Sequence, residues 1–187
     1  FKAMEYTTQN LFITGKAGTG KTTLLRHFRN KTKKKVAIVA PTGIAAIKIH
    51  GQTIHSFFKF PPQFITEDSL KNIKKAKAIS KLDTLIIDEV SMVRADLLDA
   101  IDYSLRVNTG RKNMPFGGIQ IILLGDLFQL PPVVTNDLRD IINKKYDSPY
   151  FFSASAFKEA SFSYMELSKI YRQDDEVFIN LLEKIRN

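Results

Sequence analysis

The stretch Gly15-Lys16-Ala17-Gly18-Thr19-Gly20-Lys21-Thr22 follows the apolar run Leu11 to Ile13 and leads into Thr23-Leu24-Leu25. It matches the pattern GxxxxGK[ST] in full, between a strand predicted over Asn10 to Thr14 and a helix predicted over Gly20 to Asn30. In that setting glycines let successive backbone N–H groups converge on phosphate oxygens without side chains intruding. The N-terminus of the following helix adds partial positive charge. Gly15, Ala17, Gly18, Thr19, Gly20, Lys21, Thr22 and Thr23 are therefore the candidate phosphate cradle. Lys21 is the residue to reach the β- and γ-phosphates, and the Thr22 hydroxyl the one to ligate Mg²⁺. The competing reading is a glycine turn with a solvated lysine, and the strand-turn-helix context argues against it.

Working outward, Val36 to Ala40 reads as a second strand and Thr42 to His50 as a short helix. Leu82 to Asp88, Ile119 to Leu124 and Ser163 to Leu167 read as three more strands, with a final helix over Asp174 to Arg186. Leu97, Leu98, Ile101 and Leu105 recur at helical spacing, which marks a core-facing helix. Alternating elements of this kind predict an α/β fold, a mainly parallel β-sheet flanked by helices on both faces. In such a sheet the C-terminal ends of the strands form the ligand crevice, so Asp88 and Glu89 fall near the phosphate loop. Asp88 would hold Mg²⁺, and Glu89 would polarise the attacking water as general base. Acids after a strand also cap the next helix, a role open to Glu89 or Ser91. Gly125-Asp126 ends the fourth strand, so Gln129 can hydrogen-bond a γ-phosphate or the lytic water, on a loop stiffened by Pro131-Pro132.

The rest of the composition narrows the classes. At 187 residues the chain suits one domain with a substantial core. Its net charge of +9 favours polyanionic partners, although plain solubility explains the charge as well. There is no cysteine, hence no disulfide framework and no thiolate chemistry. His27, His50 and His55 lack metal-site spacing, and no apolar run approaches the ~20 residues that span a bilayer, so no membrane partner is expected. The chain opens in a polar segment without a signal-peptide pattern, as a trimmed piece would. These features fit the cytoplasm, at a bacterial nucleoid, or the nucleus in a eukaryote. Lys31, Lys33, Lys34 and Lys35, and Lys71, Lys74, Lys75 and Lys81, read as solvated faces.

Further segments make a resemblance specific. Ala40-Pro41-Thr42-Gly43-Ile44-Ala45-Ala46, Gly51-Gln52-Thr53-Ile54-His55-Ser56-Phe57-Phe58, Asp88-Glu89-Val90-Ser91-Met92, Gly125 to Val133, and Tyr171-Arg172-Gln173 follow the phosphate loop in order. Together they resemble the motifs of the Pif1 family of superfamily 1 DNA helicases, which includes RecD-like enzymes. The resemblance implies a RecA-like P-loop NTPase using ATP and Mg²⁺, single-stranded DNA as partner, and 5′ to 3′ translocation coupled to unwinding. It implies DNA contacts at Pro41, Thr42, Gly43, His55, Ser56 and Phe57, and an Arg172 that approaches the γ-phosphate. Without the family, Pro41 and Thr42 read as an ordinary capped helix start, and one of Phe57 and Phe58 reads as core. The implied division is a RecA-like ATPase domain over 1–170, with 171–187 starting the link to a second RecA-like domain absent from this chain. The arginine finger expected from that domain is worth ~10³–10⁵ in rate in other NTPases. The chain alone is thus expected to bind nucleotide, hydrolyse it slowly and unwind nothing. The alternative is a P-loop kinase or another NTPase that does not translocate, which has no use for the His55 loop or for Gly125 to Val133.

Overall fold

The computed structural model describes residues 1–61, 65 and 76–169, and every strand in it runs parallel to its neighbours. The strands are β1 (Asn10–Gly15), β2 (Val36–Ala40), β3 (Gln52–Thr53), β4 (Thr84–Ile87), β5 (Gln120–Gly125) and β6 (Phe162–Leu167). They form one sheet in the order β3-β2-β4-β5-β1-β6. The helices are α1 (Lys2–Tyr6), α2 (Lys21–Lys31), α3 (Gly43–Lys48), α4 (Ile54–Phe58), α5 (Ala95–Thr109), α6 (Asn136–Lys145) and α7 (Ser155–Glu159).

Side-chain alternation along the strands divides the core in two. Phe12, Val39, Leu85, Ile87, Ile121 and Leu123 face a cluster with α4, α5 and α7. Leu11, Ile13, Ala40, Ile86, Ile122 and Leu124 face the other way, onto Met4 of α1, Leu25 and Phe28 of α2, and Ala46 of α3. Strands covered on both faces need apolar residues at every position, which is why β4 and β5 are continuous apolar runs.

The register brings the strand ends level. Thr14 pairs with Gly125, and Ile87 with Leu123. The ends of β1 and β4 are separated by β5 alone, and at ~4.8 Å per strand they stand about 10 Å apart. That gap suits a phosphate chain bridging the loop after β1 and the acids after β4.

Several expectations shift at their edges. α3 is shorter than the predicted Thr42 to His50, because Thr42 caps it: its hydroxyl accepts from the Ala45 N–H at 3.2 Å. The third predicted strand shrinks to Thr84–Ile87, and the polar N-terminal segment is helical. β3, α4, α6 and α7 add to the predicted set. Among the lysines read as a solvated face, Lys34 is the exception. Its ammonium donates to Met4 O and Thr7 O, both at 2.7 Å, and to Gln120 Oε1 at 2.8 Å, tying α1 to the sheet. Burial lowers its pKa. The helix predicted over Asp174 to Arg186, Arg172 and the 171–187 link, and Lys71, Lys74 and Lys75 lie outside the described residues.

Candidate nucleotide site

The loop after β1 turns on left-handed backbone. Gly20, at φ 93°, sits at the N-cap of α2, and a Cβ there would meet nothing within 4 Å. Conformation rather than space calls for glycine at that position. The loop is closed by the Thr19 hydroxyl donating to Lys16 O at 2.8 Å and by the Thr19 N–H at 3.3 Å. Lys21 arches back over it, its ammonium donating to Gly15 O and, at 3.1 Å, to Lys16 O.

Over this loop opens a cavity of about 360 Å³ lined by Ala17, Gly18, Gly20, Lys21, Thr22, Thr23, Arg26, Lys48, Glu89 and Gln129. Residues far apart in the chain meet there. Gly15 and Thr19 are buried beneath the lining as part of the loop's frame.

Asp88, just beyond β4, is only 5% exposed. The Glu89 N–H donates to its Oδ1 at 3.0 Å. Burial raises its pKa, the neighbouring Glu89 charge adds to that, and Lys48 and Lys21 oppose it. Glu89 adopts φ 52°, a left-handed conformation costly for a side-chain-bearing residue, and it lines the cavity. It stands at the N-cap of the turn Val90–Met92 without making a side-chain cap bond, so helix capping does not account for it. The Ser91 hydroxyl is buried without a hydrogen-bond partner and caps nothing either.

Beyond β5, Asp126 is almost completely buried and organises the next turn. Its Oδ1 accepts from the Phe128 N–H at 3.1 Å, and its Oδ2 accepts from the Gln129 side-chain amide at 3.2 Å. This Asx-type turn carries Gln129 to the cavity. Asp126 is a site residue that the motifs do not single out, although an Asp two residues before a turn N–H and three before the amide is a usable local signal. Arg26 and Lys48 were also missed. Arg26 lies one helical turn beyond Thr22 and was accessible from spacing, whereas Lys48 reaches the cavity only through the packing of α3 on the sheet.

The residues implied for DNA are not among those that line the cavity. Pro41, Thr42 and Gly43 follow β2, with Gly43 exposed. Thr53 caps α4 by accepting from the Ser56 N–H at 3.2 Å, which leaves Ser56 on the surface. His55 is half-buried beside the Arg94–Asp96 ion pair, whose closest contact is 2.8 Å. Its pKa is lowered by burial first, then by Arg94. Phe58 is the core phenylalanine; Phe57 stands edge-on to it at 5.0 Å and lines a separate groove with Arg29 and His50.

Among the described residues no three His, Cys, Asp or Glu side chains converge into a metal cage. What is present, one buried carboxylate within electrostatic reach of Lys21 on the threonine-bearing loop, fits Mg²⁺, which binds through one or two carboxylates plus substrate phosphates. Among those residues no helix is long and apolar enough to cross a membrane.

A phosphate loop, a carboxylate pair at the end of a parallel strand two places away in the sheet, and a cavity lined by the loop and Glu89 define a P-loop nucleotide-binding domain of RecA-like fold. Residues 2–187 match the family described as PIF1-like helicase, and the chain belongs to that family. It is 42% identical over 189 residues to the ATP-dependent DNA helicase PIF1 of Candida albicans, covering 95% of this chain and 21% of that one. To the human ATP-dependent DNA helicase PIF1 it is 35% identical, covering 95% and 27%. Among solved structures, the Pif1 helicase from Bacteroides in complex with ADP-AlF3 and ssDNA is similar at TM-score 0.90 and 47% identity, over 96% of this chain and 43% of that one. The chain thus spans about a quarter of these curated relatives and under half of the solved helicase. Membership in this family sets aside the reading as a P-loop kinase.

Proposed function

We propose that this chain is the ATP-binding motor domain of a DNA helicase, which couples ATP hydrolysis to 5′ to 3′ movement on single-stranded DNA. The observation that carries the proposal is the single cavity in which Lys21 and Thr22 of the loop face Glu89 and Gln129 from two other strand ends. Support also comes from the Bacteroides neighbour, described with ADP-AlF3 and single-stranded DNA bound. In this reading the loop N–H groups and Lys21 bind the β- and γ-phosphates. Thr22 and Asp88 would hold Mg²⁺, which neutralises charge on those phosphates when bound. Glu89 orients a water and takes its proton, and Gln129, steadied by Asp126, hydrogen-bonds the water or the γ-phosphate. ATP rather than GTP, and an Arg172 near the γ-phosphate, rest on the family resemblance.

Pro41, Thr42, Gly43, His55, Ser56 and Phe57 are proposed as DNA contacts. A second RecA-like domain of the native protein is the proposed partner across the cavity. The loop beside Gln129 is apolar and open, with Leu130 67% and Val133 70% exposed, as a surface that packs on a neighbour would be.

The test is ATPase activity of the full-length protein with and without single-stranded DNA. Activity should rise on adding DNA, and Glu89→Gln should still bind ATP while turnover falls by about 10²–10⁴. Normal turnover by Glu89→Gln would overturn the assignment of the base.

A further inference from the structure

One wall of the nucleotide cavity belongs neither to the phosphate loop nor to the strand ends carrying Glu89 and Gln129. Arg26, one turn beyond Thr22 on α2, and Lys48, the last residue of α3, build it. The two helices are tied at this point. The Arg26 guanidinium donates to Lys48 O at 3.4 Å, and Arg29, a turn further along, donates to Ile49 O at 3.1 Å and His50 O at 3.2 Å. Cations at a helix C-terminus satisfy its open carbonyls. The two arginines therefore fix where the Lys48 side chain starts.

The Lys48 ammonium is not spent in the same way. Among the described residues it makes no hydrogen bond or ion pair within the protein, yet it lines the cavity with Glu89 and Gln129. Its charge acts on the buried Asp88 carboxylate more strongly than that of Lys21. A lysine placed for solubility would have no reason to sit there. An ammonium is a mobile point charge on a long stem, suited to a phosphate oxygen.

We propose that Lys48 is a further ligand of the terminal phosphate of the bound nucleoside triphosphate, supplied by α3 and held in place by Arg26. The inference rests on the nucleotide reading above. In that reading Glu89 and Gln129 stand at the γ-phosphate end of the cavity, so a cation beside them acts on the last phosphate. Lys48 thereby separates triphosphate from diphosphate, which Lys21, bound to both, does less well.

Titration of the full-length protein with MgATP and MgADP tests this, using the wild type, Lys48→Ala, Lys48→Arg and Lys21→Ala. Lys48 is exposed, so the fold should survive, and an unchanged melting temperature checks it. Lys48→Ala should weaken MgATP binding about ten-fold, the loss of one charge-assisted hydrogen bond. MgADP binding should stay within about two-fold, and Lys48→Arg should keep most of the preference. Equal losses for both nucleotides, or no loss, would overturn the proposal. Tighter binding of both would show Lys48 to be a competitor of the metal at Asp88 instead, and would overturn it too. Lys21→Ala is the separate control: if it bound both nucleotides normally, the nucleotide reading itself would fall.

Discussion

Replacing Gly125 by alanine tests how the carboxylate turn and the fourth-strand loop are locked together. Gly125 ends β5, and a Cβ there would lie 2.9 Å from Val90 Cγ1, 3.1 Å from Val90 N and 3.2 Å from Ser91 N. Carbon contacts settle at about 3.5–4.0 Å, so Val90 must retreat by about 0.6 Å or more. Two of the three atoms are backbone, in the turn immediately after Glu89, and no rotamer change relieves them. Overpacking of this kind costs about 1–3 kcal/mol. With ~2–4 °C per kcal/mol for a domain of this size, the melting temperature should fall by about 2–12 °C. The displaced turn carries Glu89, and a shift of about half an ångström in a group that positions water costs about ten-fold in turnover. Thermal denaturation and steady-state ATPase on the full-length variant measure the two effects. Wild-type stability together with wild-type turnover would refute the close approach of β5 to this turn.

Two further outcomes follow from the electrostatics. Burial and Glu89 raise the native pKa of Asp88, so between the ordinary aspartate value and the raised one the native state keeps a proton that the unfolded chain has lost. Stability conferred by that proton falls as pH rises through this window, leaving a penalty at neutral pH. Asp88→Asn should therefore stabilise the nucleotide-free protein at pH 7 by about 0.5–2 kcal/mol, while weakening Mg²⁺-dependent ATP binding; a less stable Asn variant would contradict this. His55, with its pKa lowered by burial and by Arg94, should titrate by NMR below the usual histidine range. The unfolded chain then takes up the proton first, so acidification through that range should cost stability. A midpoint at or above the ordinary value would remove the buried, neutral imidazole.

The parts of this molecule that read clearly in the sequence are those whose physics is local. Leu11 to Ile13, Val36 to Ala40 and Ile121 to Leu124 announce themselves because a strand buried on both faces must be apolar throughout. The phosphate loop is legible because eight consecutive residues do one job. β3, with two residues, and α4 and α7, with five each, are too short to show a period. In α3 the pattern points the wrong way, since Ile44 and Ile47 are 84% and 76% exposed while the small Ala46 is buried. α6 did carry a signal in Leu138, Ile141 and Ile142. Lys34 looked like one more surface lysine because its acceptors, in α1 and on Gln120, are far away in the chain. For the same reason Lys48 at the cavity appears only once the strand ends are brought level, whereas Asp126, three residues from Gln129, was open to a local reading.

The most direct measurement is a crystal structure of the full-length protein with Mg²⁺ and a non-hydrolysable ATP analogue. The β- and γ-phosphates should rest on the N–H groups at the start of α2 with Lys21 turned onto them, Mg²⁺ between the Thr22 hydroxyl and Asp88, and the Glu89 carboxylate facing the γ-phosphorus. A triphosphate seated elsewhere, or Asp88 and Glu89 directed away from it, would contradict the account.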